Sequence, residues 1–387
     1  MLSLTKLLCN SNNFGDDLRY SKGAAQCKYG VNFGRGPVVV WNCTRQCNLK
    51  CLHCYAEANN EKCSEELELK EARDFIEDLK MFNVPVILFS GGEPLLRGDF
   101  FNLLELTSKL AVRSTISTNG TLLYKDVCKD IKSMNVGYVG VSLDGIGSRH
   151  DEFRGVSGAF DKSLKGIRNC IELNQRVGLR FTINKHNFHQ IEEIFALIKE
   201  EKIPRVCFYH MVYSGRASNI IKDDISKEQR REVMDLIIKK TLELGPKFEI
   251  LTVDNHADSV YLYLKALKEF PNKANRILQL INSNGGNRSG MAFACVDYKG
   301  DIHPDQFTWQ YTFGNIKQNK FSDIWKNSDN SILNGLRNRK ALIKGRCSKC
   351  KWIFVCNANF RTRAEVVYKD FWESDPACYL TDNEIGI

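Results

Sequence analysis

The sequence predicts an α/β protein with a parallel β-sheet. Short runs rich in β-branched and aromatic residues alternate with helix-like stretches, which is typical of βα repeats. Glycine-rich and polar turns follow these runs, as they do at the ligand-binding edge of a parallel sheet. With 387 residues, of which 43% are hydrophobic, the chain can bury one large core and still form a smaller second domain. The sheet is either doubly wound or curled into a partial barrel.

Six segments have the composition of buried strands, and helix-like stretches separate them. They are residues 37–42, 84–90, 112–118, 137–143, 178–184 and 205–212. Between the first two, residues 68–82 predict an amphipathic helix, because apolar residues recur at helical spacing with charges on the opposite face. The apolar face consists of Leu69, Ala72, Phe75, Ile76 and Leu79.

The ends of the first four predicted strands carry polar residues and glycines. The first strand leads through Asn42 and Arg45 to a group of cysteines. The next three end in SGGEP, STNG and SLDG, at residues 90–94, 117–120 and 142–145. Glycine lets a ligand approach the backbone, and Asn and Asp can bind a ribose or an amine. Each turn alone is ordinary, but together at successive strand ends they indicate a ligand site.

The N-terminus and the hydropathy of the chain predict a cytoplasmic protein with no membrane partner. The segment MLSLTKLLCNSNNFGDDLRY lacks the apolar core and cleavage site of a signal peptide. No stretch reaches the roughly 18 apolar residues of a membrane span. In the cytoplasm thiols stay reduced, so cysteine groups there indicate metal or redox chemistry.

The fifteen cysteines form two groups and a scattered remainder. The first group, Cys47, Cys51 and Cys54, has the spacing CxxxCxxC. The second comprises Cys347, Cys350 and Cys356, followed by Cys378. We expect the scattered cysteines to be small buried apolar residues. The odd total disfavours a closed disulfide framework.

CxxxCxxC after the first strand and GGEP after the second resemble the signature of the radical S-adenosylmethionine (SAM) enzymes. By this resemblance the fold is a partial (βα)6 TIM-type barrel. Cys47, Cys51 and Cys54 then bind three irons of a 4Fe–4S cluster, and the fourth iron stays open for SAM. A zinc knuckle with His53 as fourth ligand is the alternative, but zinc would not explain GGEP.

The resemblance also implies the residues that bind SAM. In the family pattern, the glycines and glutamate of GGEP meet the methionine amine through their backbone, the SLDG turn lies near the ribose, and the aromatic residue before the last cysteine approaches the adenine. The predicted cofactor-binding residues are His53, Gly91, Gly92, Glu93, Asn119, Ser142 and Asp144.

The second cysteine group resembles SPASM, the C-terminal auxiliary-cluster module of many radical SAM enzymes. The full module holds two auxiliary clusters, but Asp305 and Phe360 stand at two of its cysteine positions here. The resemblance therefore implies one auxiliary 4Fe–4S cluster, on Cys347, Cys350, Cys356 and Cys378. Cys295 is a remnant or an alternative ligand. The predicted division is an N-terminal leader at 1–36, the barrel at 37–225, a helical linker at 226–290 and the SPASM-like module at 291–387.

Longer stretches resemble the tetrapyrrole-modifying branch of this family, which includes 12,18-didecarboxysiroheme deacetylases and enzymes of heme d biosynthesis. These stretches are PVVVWNCTRQCNLKCLHCYAEA, YHMVYSGRA and ACYLTDNEIG. The resemblance implies removal of two acetate side chains from 12,18-didecarboxysiroheme to give iron-coproporphyrin III. The reduced cluster would cleave SAM to a 5′-deoxyadenosyl radical that abstracts hydrogen from the substrate. Loss of propionate groups in heme d biosynthesis and SPASM-type peptide maturation are the alternatives.

The expected partners are an iron tetrapyrrole substrate and a low-potential electron donor such as ferredoxin or flavodoxin. Five residues are candidates for action on the substrate, namely His210, Tyr213, Arg216, His303 and Asp305. A histidine could ligate the tetrapyrrole iron, a tyrosine could donate a proton and an arginine could clamp a carboxylate. For each of the five, an ordinary structural role is the alternative.

The net charge of +9 is concentrated near the second cysteine group, because residues 331–364 contain nine Lys or Arg and no Asp or Glu. Such a block is usually solvated surface or a nucleic-acid face. Around an auxiliary cluster it could also steer an anionic substrate. Few aromatic residues interleave with it, so nucleic acid is not expected to be a partner. A non-enzymatic RNA-binding protein with this block as its face is the remaining alternative.

Overall fold

The computed structural model describes residues 1–21, 23 and 26–387, and ten strands in this part of the chain form one sheet. The strands are β1 (Leu2–Ser3), β2 (Val38–Asn42), β3 (Ile87–Ser90), β4 (Ser114–Thr118), β5 (Tyr138–Ser142), β6 (Val177–Ile183), β7 (Arg205–His210), β8 (Glu249–Val253), β9 (Phe293–Val296) and β10 (Ile302–His303). Their order across the sheet is β1-β8-β7-β6-β5-β4-β3-β2-β9-β10.

Helices follow most of the strands. They are α1 (Leu4–Cys9), α2 (Asp16–Arg19), α3 (Leu69–Met81), α4 (Phe100–Lys109), α5 (Lys125–Ser133), α6 (Ser148–Arg154), α7 (Ala159–Glu172), α8 (Ile191–Glu200), α9 (Lys227–Leu244), α10 (Ala257–Glu269), α11 (Pro271–Asn284), α12 (Phe321–Asn327), α13 (Ser331–Arg337), α14 (Gly345–Ser348), α15 (Ile353–Cys356), α16 (Arg361–Tyr368) and α17 (Asp382–Ile385). Among the described residues, no helix is both long and apolar enough for a bilayer crossing.

The pairing confirms an α/β fold with a parallel sheet. Strands β2 to β8 pair in parallel with their sequence neighbours, and β9 pairs in parallel with the other side of β2. The edge strands β1 and β10 pair antiparallel. The six predicted strands correspond to β2–β7. Parallel strands place their carboxyl ends on one edge, so the turns predicted to bind a ligand lie together.

The sheet is wider than the six predicted strands. Segment 226–290, predicted as a helical linker, contains β8, whose five residues EILTV are all buried. The leader contributes β1, and the C-terminal region contributes β9 and β10. Short strands such as these are stabilised by pairing with the edges of the sheet, a long-range contact that local sequence does not reveal. The domain boundaries at 36, 225 and 290 stay predictions.

Helix α3 matches the amphipathic helix predicted between the first two strands. Of its predicted apolar face, Ala72, Phe75, Ile76 and Leu79 are buried, but Leu69 is 39% exposed because it is the first helical residue. Phe75 packs edge-to-face on Trp41 of β2 at 5.3 Å between ring centroids. The helix therefore covers the outer face of the sheet beside the first cysteine group.

The basic block at 331–364 is partly interior. Four of its nine cationic residues, Arg337, Arg339, Arg361 and Arg363, are at most 6% exposed, whereas its four lysines are exposed. Arg363 forms a fully buried ion pair with Asp375 and donates to the carbonyl oxygens of Met211 and Asp254. These bonds attach the C-terminal region to the exits of β7 and β8. Four of the nine cations thus serve the fold and are not available to a nucleic-acid face.

Candidate active site

A cavity of about 260 Å³ lies at the carboxyl ends of β3–β8 and contains most of the predicted site. The predicted residues on its wall are Cys47, Cys51, His53, Cys54, Gly91, Gly92, Asn119, Ser142, His210, Arg216 and Asp305. Phe307 and Phe360 close one side. Polar groups on an otherwise apolar wall are typical of a small-molecule site.

The thiols of the first group fit an iron–sulfur cluster. Each sulfur accepts at least one N–H hydrogen bond, Cys47 Sγ a second one from Asn119 Nδ2 at 3.9 Å, and such bonds stabilise cluster sulfurs. Among the described residues, no three His, Cys, Asp or Glu side chains converge on a single metal ion. A 4Fe–4S cluster does not require such convergence, since each thiolate binds a different iron. The bonds run from Leu49 N to Cys47 Sγ (3.4 Å), from Arg154 Nη1 to Cys51 Sγ (3.5 Å) and from Ala58 N to Cys54 Sγ (3.4 Å).

Arg216 holds the cysteine loop in place. Its Nε donates to the carbonyl oxygen of Cys51 and its Nη1 to that of Ala58, both at 2.9 Å. Its backbone N–H donates to the carbonyl oxygen of Cys54 at 3.1 Å. Nε and Nη1 are engaged in this way, whereas Nη2 is buried without a partner, so the carboxylate clamp predicted for Arg216 stays a prediction. Arg216 follows β7 in the chain, and its hydrogen bonds stabilise the loop that follows β2.

Gly91 and Gly92 bring two strand ends into contact. A Cβ at Gly91 would lie 2.4 Å from the carbonyl oxygen of Thr44, and one at Gly92 would lie 2.1 Å from that of Gln46. The Gly92 N–H donates to the Thr44 carbonyl at 2.8 Å. Any side chain here would displace the loop that carries the cysteines. The two glycines of the GGEP turn therefore let the cysteine loop pack against the end of β3, in addition to their predicted contact with SAM.

Glu93 lies behind the cavity wall and is fully buried. Its carboxylate accepts hydrogen bonds from the Thr118 hydroxyl and the Asn119 backbone N–H, both at 2.8 Å. Burial raises the pKa of Glu93 to about 7. The carboxylate links the end of β3 to the end of β4. The predicted contact with the methionine amine is through the backbone of Glu93, and it stays a prediction.

Asp144 also lies behind the wall, where it forms a buried ion pair with Arg154. Burial alone would raise the pKa of Asp144, but Arg154 and His53 lower it below its usual value. Arg154 Nη1 also donates a hydrogen bond to Cys51 Sγ, so Arg154 links Asp144 to the first cysteine group. Of the two residues predicted near the ribose, Ser142 lines the cavity and Asp144 does not.

His53 occupies the position between Cys51 and Cys54. Its ring stacks on Phe153 with centroids 4.5 Å apart, and its Nε2 lies 3.7 Å from Asp144 Oδ2. Burial lowers the pKa of His53 to about 4, so the imidazole is neutral near pH 7. A neutral flat ring on the cavity wall suits the predicted approach to the adenine.

The candidates for action on the substrate separate into two sets. His210 and Asp305 line the cavity, although His210 Nε2 already bonds to Asp258 Oδ2 at 3.0 Å. Tyr213 and His303 do not line it. The Tyr213 hydroxyl donates to Asp224 at 2.7 Å, and the His303 ring stacks on Trp309 with Nδ1 3.0 Å from the Tyr311 carbonyl oxygen. The hydroxyl of Tyr213 is thus occupied within the fold, which favours its structural alternative. His303 Nε2 is buried without a hydrogen-bond partner, 3.7 Å from Asp297 Oδ2, and the role of His303 stays a prediction.

The second cysteine group lies around a separate small cavity. Cys347, Cys350, Cys356 and Cys378 all line it. Arg346 Nη1 lies 3.7 Å from Cys378 Sγ, so a cation adjoins the thiols. Cys295 lies elsewhere, in β9 beside β2, where its sulfur accepts a hydrogen bond from Asn42 Nδ2 at 3.0 Å. Four thiols around one cavity fit a fully ligated auxiliary cluster without Cys295.

Arg154, Arg180 and His256 are among the cavity residues that sequence reasoning missed. Arg180 carried a signal, since it is a charged residue inside an apolar strand and its side chain has to face a polar space. Arg154 is one turn of helix from His150, but its partner Asp144 lies ten positions away in sequence. His256 has no local motif, and only the fold brings it to the cavity.

Two protein-family models and several known proteins match this chain. A family model described as the radical SAM superfamily matches residues 41–216, and SPASM, described as an iron–sulfur cluster-binding domain, matches residues 288–351. The chain is 48% identical to the Fe-coproporphyrin III synthase of Methanosarcina barkeri, with 100% of this chain and 99% of that protein covered. It is 41% identical to the pre-heme d1 synthase of Dinoroseobacter shibae, covering 90% and 88%.

Solved structures share the fold. Streptococcus suis SuiB bound to its precursor peptide SuiA superposes with a TM-score of 0.73 at 20% identity, covering 90% of this chain and 76% of that one. At this identity the likeness concerns the fold alone. Together with the family matches, it confirms the predicted α/β class and the SPASM module behind it.

Proposed function

The chain belongs to the tetrapyrrole-modifying branch of the radical SAM superfamily, and on this premise we propose that it removes two acetate side chains from 12,18-didecarboxysiroheme. The product would be iron-coproporphyrin III. The observation that carries this proposal is the full-length likeness to an Fe-coproporphyrin III synthase. The likeness to a pre-heme d1 synthase supports propionate removal as the second candidate.

The cofactors of this family are a 4Fe–4S cluster with SAM and an auxiliary iron–sulfur cluster. When bound, the reduced cluster and SAM supply a 5′-deoxyadenosyl radical that takes hydrogen from the substrate. Cys47, Cys51 and Cys54 would hold the first cluster. Cys347, Cys350, Cys356 and Cys378 would hold the auxiliary one. We infer a cytoplasmic location, where thiols stay reduced. We also infer a low-potential electron donor such as ferredoxin or flavodoxin, because the radical step consumes an electron.

The residues of the chain position the reactants and exclude water. Arg216, Gly91 and Gly92 fix the cysteine loop against the end of β3. Phe307 and Phe360 give the cavity an apolar side against which the face of a macrocycle can stack. A closed apolar wall also protects a radical from solvent. These features support a flat, largely apolar substrate with charged edges.

Arg180 supplies a cation for one of those edges. It lies across Gly140 of the neighbouring strand, where a Cβ would come within 2.3 Å of Arg180 Nε. Its Nη1 donates to the Ser117 hydroxyl, its Nε is buried with no partner, and no carboxylate of the described residues is within ion-pair distance. A half-buried guanidinium that lines the cavity without a carboxylate partner favours an anionic ligand. We infer that Arg180 binds a carboxylate of the tetrapyrrole.

Replacing Arg180 by methionine should raise the KM for the tetrapyrrole roughly ten- to hundredfold, the value of a hydrogen-bonded charge pair. The KM for SAM should not change. Arg180→Lys should recover only part of the loss, because lysine lacks the guanidinium fork. Steady-state kinetics with each substrate varied in turn measure both constants. A rise confined to the KM for SAM would instead place Arg180 on the methionine carboxylate.

The reaction itself is tested with anaerobically reconstituted protein. It is incubated with dithionite, SAM and 12,18-didecarboxysiroheme, and the products are followed by mass spectrometry. We expect 5′-deoxyadenosine together with iron-coproporphyrin III. Loss of propionate instead of acetate would establish the second candidate. Formation of 5′-deoxyadenosine with an untouched tetrapyrrole would refute both and favour a peptide substrate.

A further inference from the structure

Among the described residues, three histidines line the main cavity, and their ring nitrogens differ in availability. His53 stacks on Phe153 within the cysteine loop, and His210 bonds to Asp258. In both rings Nδ1 is sealed from the cavity and has no partner. His256 is different, because neither of its ring nitrogens forms a hydrogen bond within the described part of the chain. The residue keeps 9% of its surface exposed, on the cavity.

The backbone of His256 is fixed although its imidazole is free. Its N–H donates to Asn359 Oδ1 at 3.0 Å, and Asn359 Nδ2 donates to Asn255 Oδ1 at 2.7 Å. Asn255 in turn bonds to the carbonyl oxygen of Ala377. The imidazole lies nearly parallel to Phe360, with centroids 6.1 Å apart and an interplanar angle of 22°. The ring is thus positioned by contacts that leave its nitrogens unused.

The environment keeps this imidazole neutral. Burial lowers the pKa of His256 well below its usual value, and Arg339 and Arg363 act in the same direction. A neutral imidazole has a nitrogen lone pair, which is the form that binds metals. Because the ring nitrogens of His256 have no partner among the described residues and the residue lines the cavity, they are available to a ligand bound there.

We propose that His256 is the axial ligand of the tetrapyrrole iron. This inference rests on the proposed function, which supplies an iron tetrapyrrole as substrate. One ring nitrogen would form an Fe–N bond and displace a weaker axial ligand such as water, with no change in the oxidation state of the iron. The role expected of His210 passes to His256, since Asp258 already occupies His210 Nε2. In the sheet, β3–β7 separate β8, which leads to His256, from β2, which leads to the cluster cysteines.

Axial ligation would determine which side chains of the macrocycle are cut. An Fe–N bond fixes the centre and the plane of the ring, and Arg180 would then restrict its rotation about that bond. Only the side chains turned toward the cysteine loop would meet the radical. Positioning of this kind would hold the reacting side chain in one defined geometry relative to the radical.

The test is titration of the reconstituted protein with ferric iron-coproporphyrin III, followed by absorption, electron paramagnetic resonance and Soret-excited resonance Raman spectroscopy. The wild type should show a nitrogen-ligated iron, with nitrogen hyperfine coupling that changes when histidine is labelled with ¹⁵N. His256→Ala should lose this signature and bind the iron porphyrin about 10–100-fold more weakly, as metal sites do on losing a supporting group. Binding of metal-free coproporphyrin III should not change.

Two controls separate ligation from a general loss of structure. Added imidazole should restore the nitrogen-ligated spectrum of His256→Ala if the variant is folded and the cavity is intact. The exposed His189 lies outside the cavity, so His189→Ala should behave as the wild type. An unaltered spectrum in His256→Ala, or a spectrum that changes only in His210→Ala, would overturn the inference while leaving the proposed function standing. If the wild type binds neither the iron porphyrin nor the metal-free one, both fail.

Discussion

Replacing Cys51 by alanine should abolish formation of 5′-deoxyadenosine, down to the level of a reaction without enzyme. Cys51 is one of three thiols on the cavity wall, and its sulfur is the one that Arg154 contacts. With only two thiolates the site cannot keep a cluster that presents an open iron to SAM. Iron content after anaerobic reconstitution should fall from about eight to about four atoms per chain, because each 4Fe–4S cluster holds four.

A matched control is available in the same region. Cys63 is partly exposed, lies outside the cavity and donates its thiol hydrogen bond to Glu65, so Cys63→Ala should keep full iron content and full activity. Cys350→Ala provides a second comparison, because it should also lose about four irons but from the auxiliary site. Full 5′-deoxyadenosine formation by Cys51→Ala would contradict the assignment of the first cysteine group.

Replacing Arg154 by methionine should lower the free energy of unfolding by about 3–5 kcal/mol, the usual cost of leaving one partner of a buried ion pair unpaired. The Asp144 carboxylate is fully buried, and Arg154 is the cation that balances it. Cluster occupancy should fall as well, since Cys51 Sγ loses its hydrogen bond from Arg154 Nη1. Anaerobic denaturant unfolding followed by circular dichroism measures the first effect, and iron analysis measures the second.

The comparison for Arg154 is an exposed arginine in the same helix. Arg149 pairs with Glu152 at the surface, so Arg149→Met should change the free energy of unfolding by no more than about 1 kcal/mol. The double variant Arg154→Met with Asp144→Asn should recover part of the loss, because the amide does not leave a buried charge behind. Equal costs for Arg154→Met and Arg149→Met would show that the buried pair adds nothing to stability.

The charge of the C-terminal block illustrates how composition and structure differ in what they reveal. From sequence, nine cations without an acid suggested either a solvated surface or a binding face. In the fold, Arg363 pairs with Asp375, only twelve positions away but beyond the block, and Arg339 donates to Asn287. A local count of charges cannot detect a partner that the chain brings in from elsewhere.

Local spacing was sufficient for features that the chemistry confines to a few neighbouring residues. The cysteines of the first group, GGEP and the amphipathic α3 are each set within about fifteen residues, so the sequence itself determined them. The carboxyl ends of parallel strands meet at one edge, which is why reading strand ends in order located most of the cavity wall. The α/β class followed from the same repeats.

The tertiary structure alone decided the partners of the polar residues and the edges of the sheet. Arg216 was expected to bind substrate but reaches back to the cysteine loop, and Tyr213 bonds to Asp224 instead of facing the cavity. His256 lies 202 positions after Cys54 and enters the site only because β8 joins the sheet beside β7. Hydrogen bonds and ion pairs depend on distances of a few ångströms between remote segments, and no local pattern in the sequence encodes those distances.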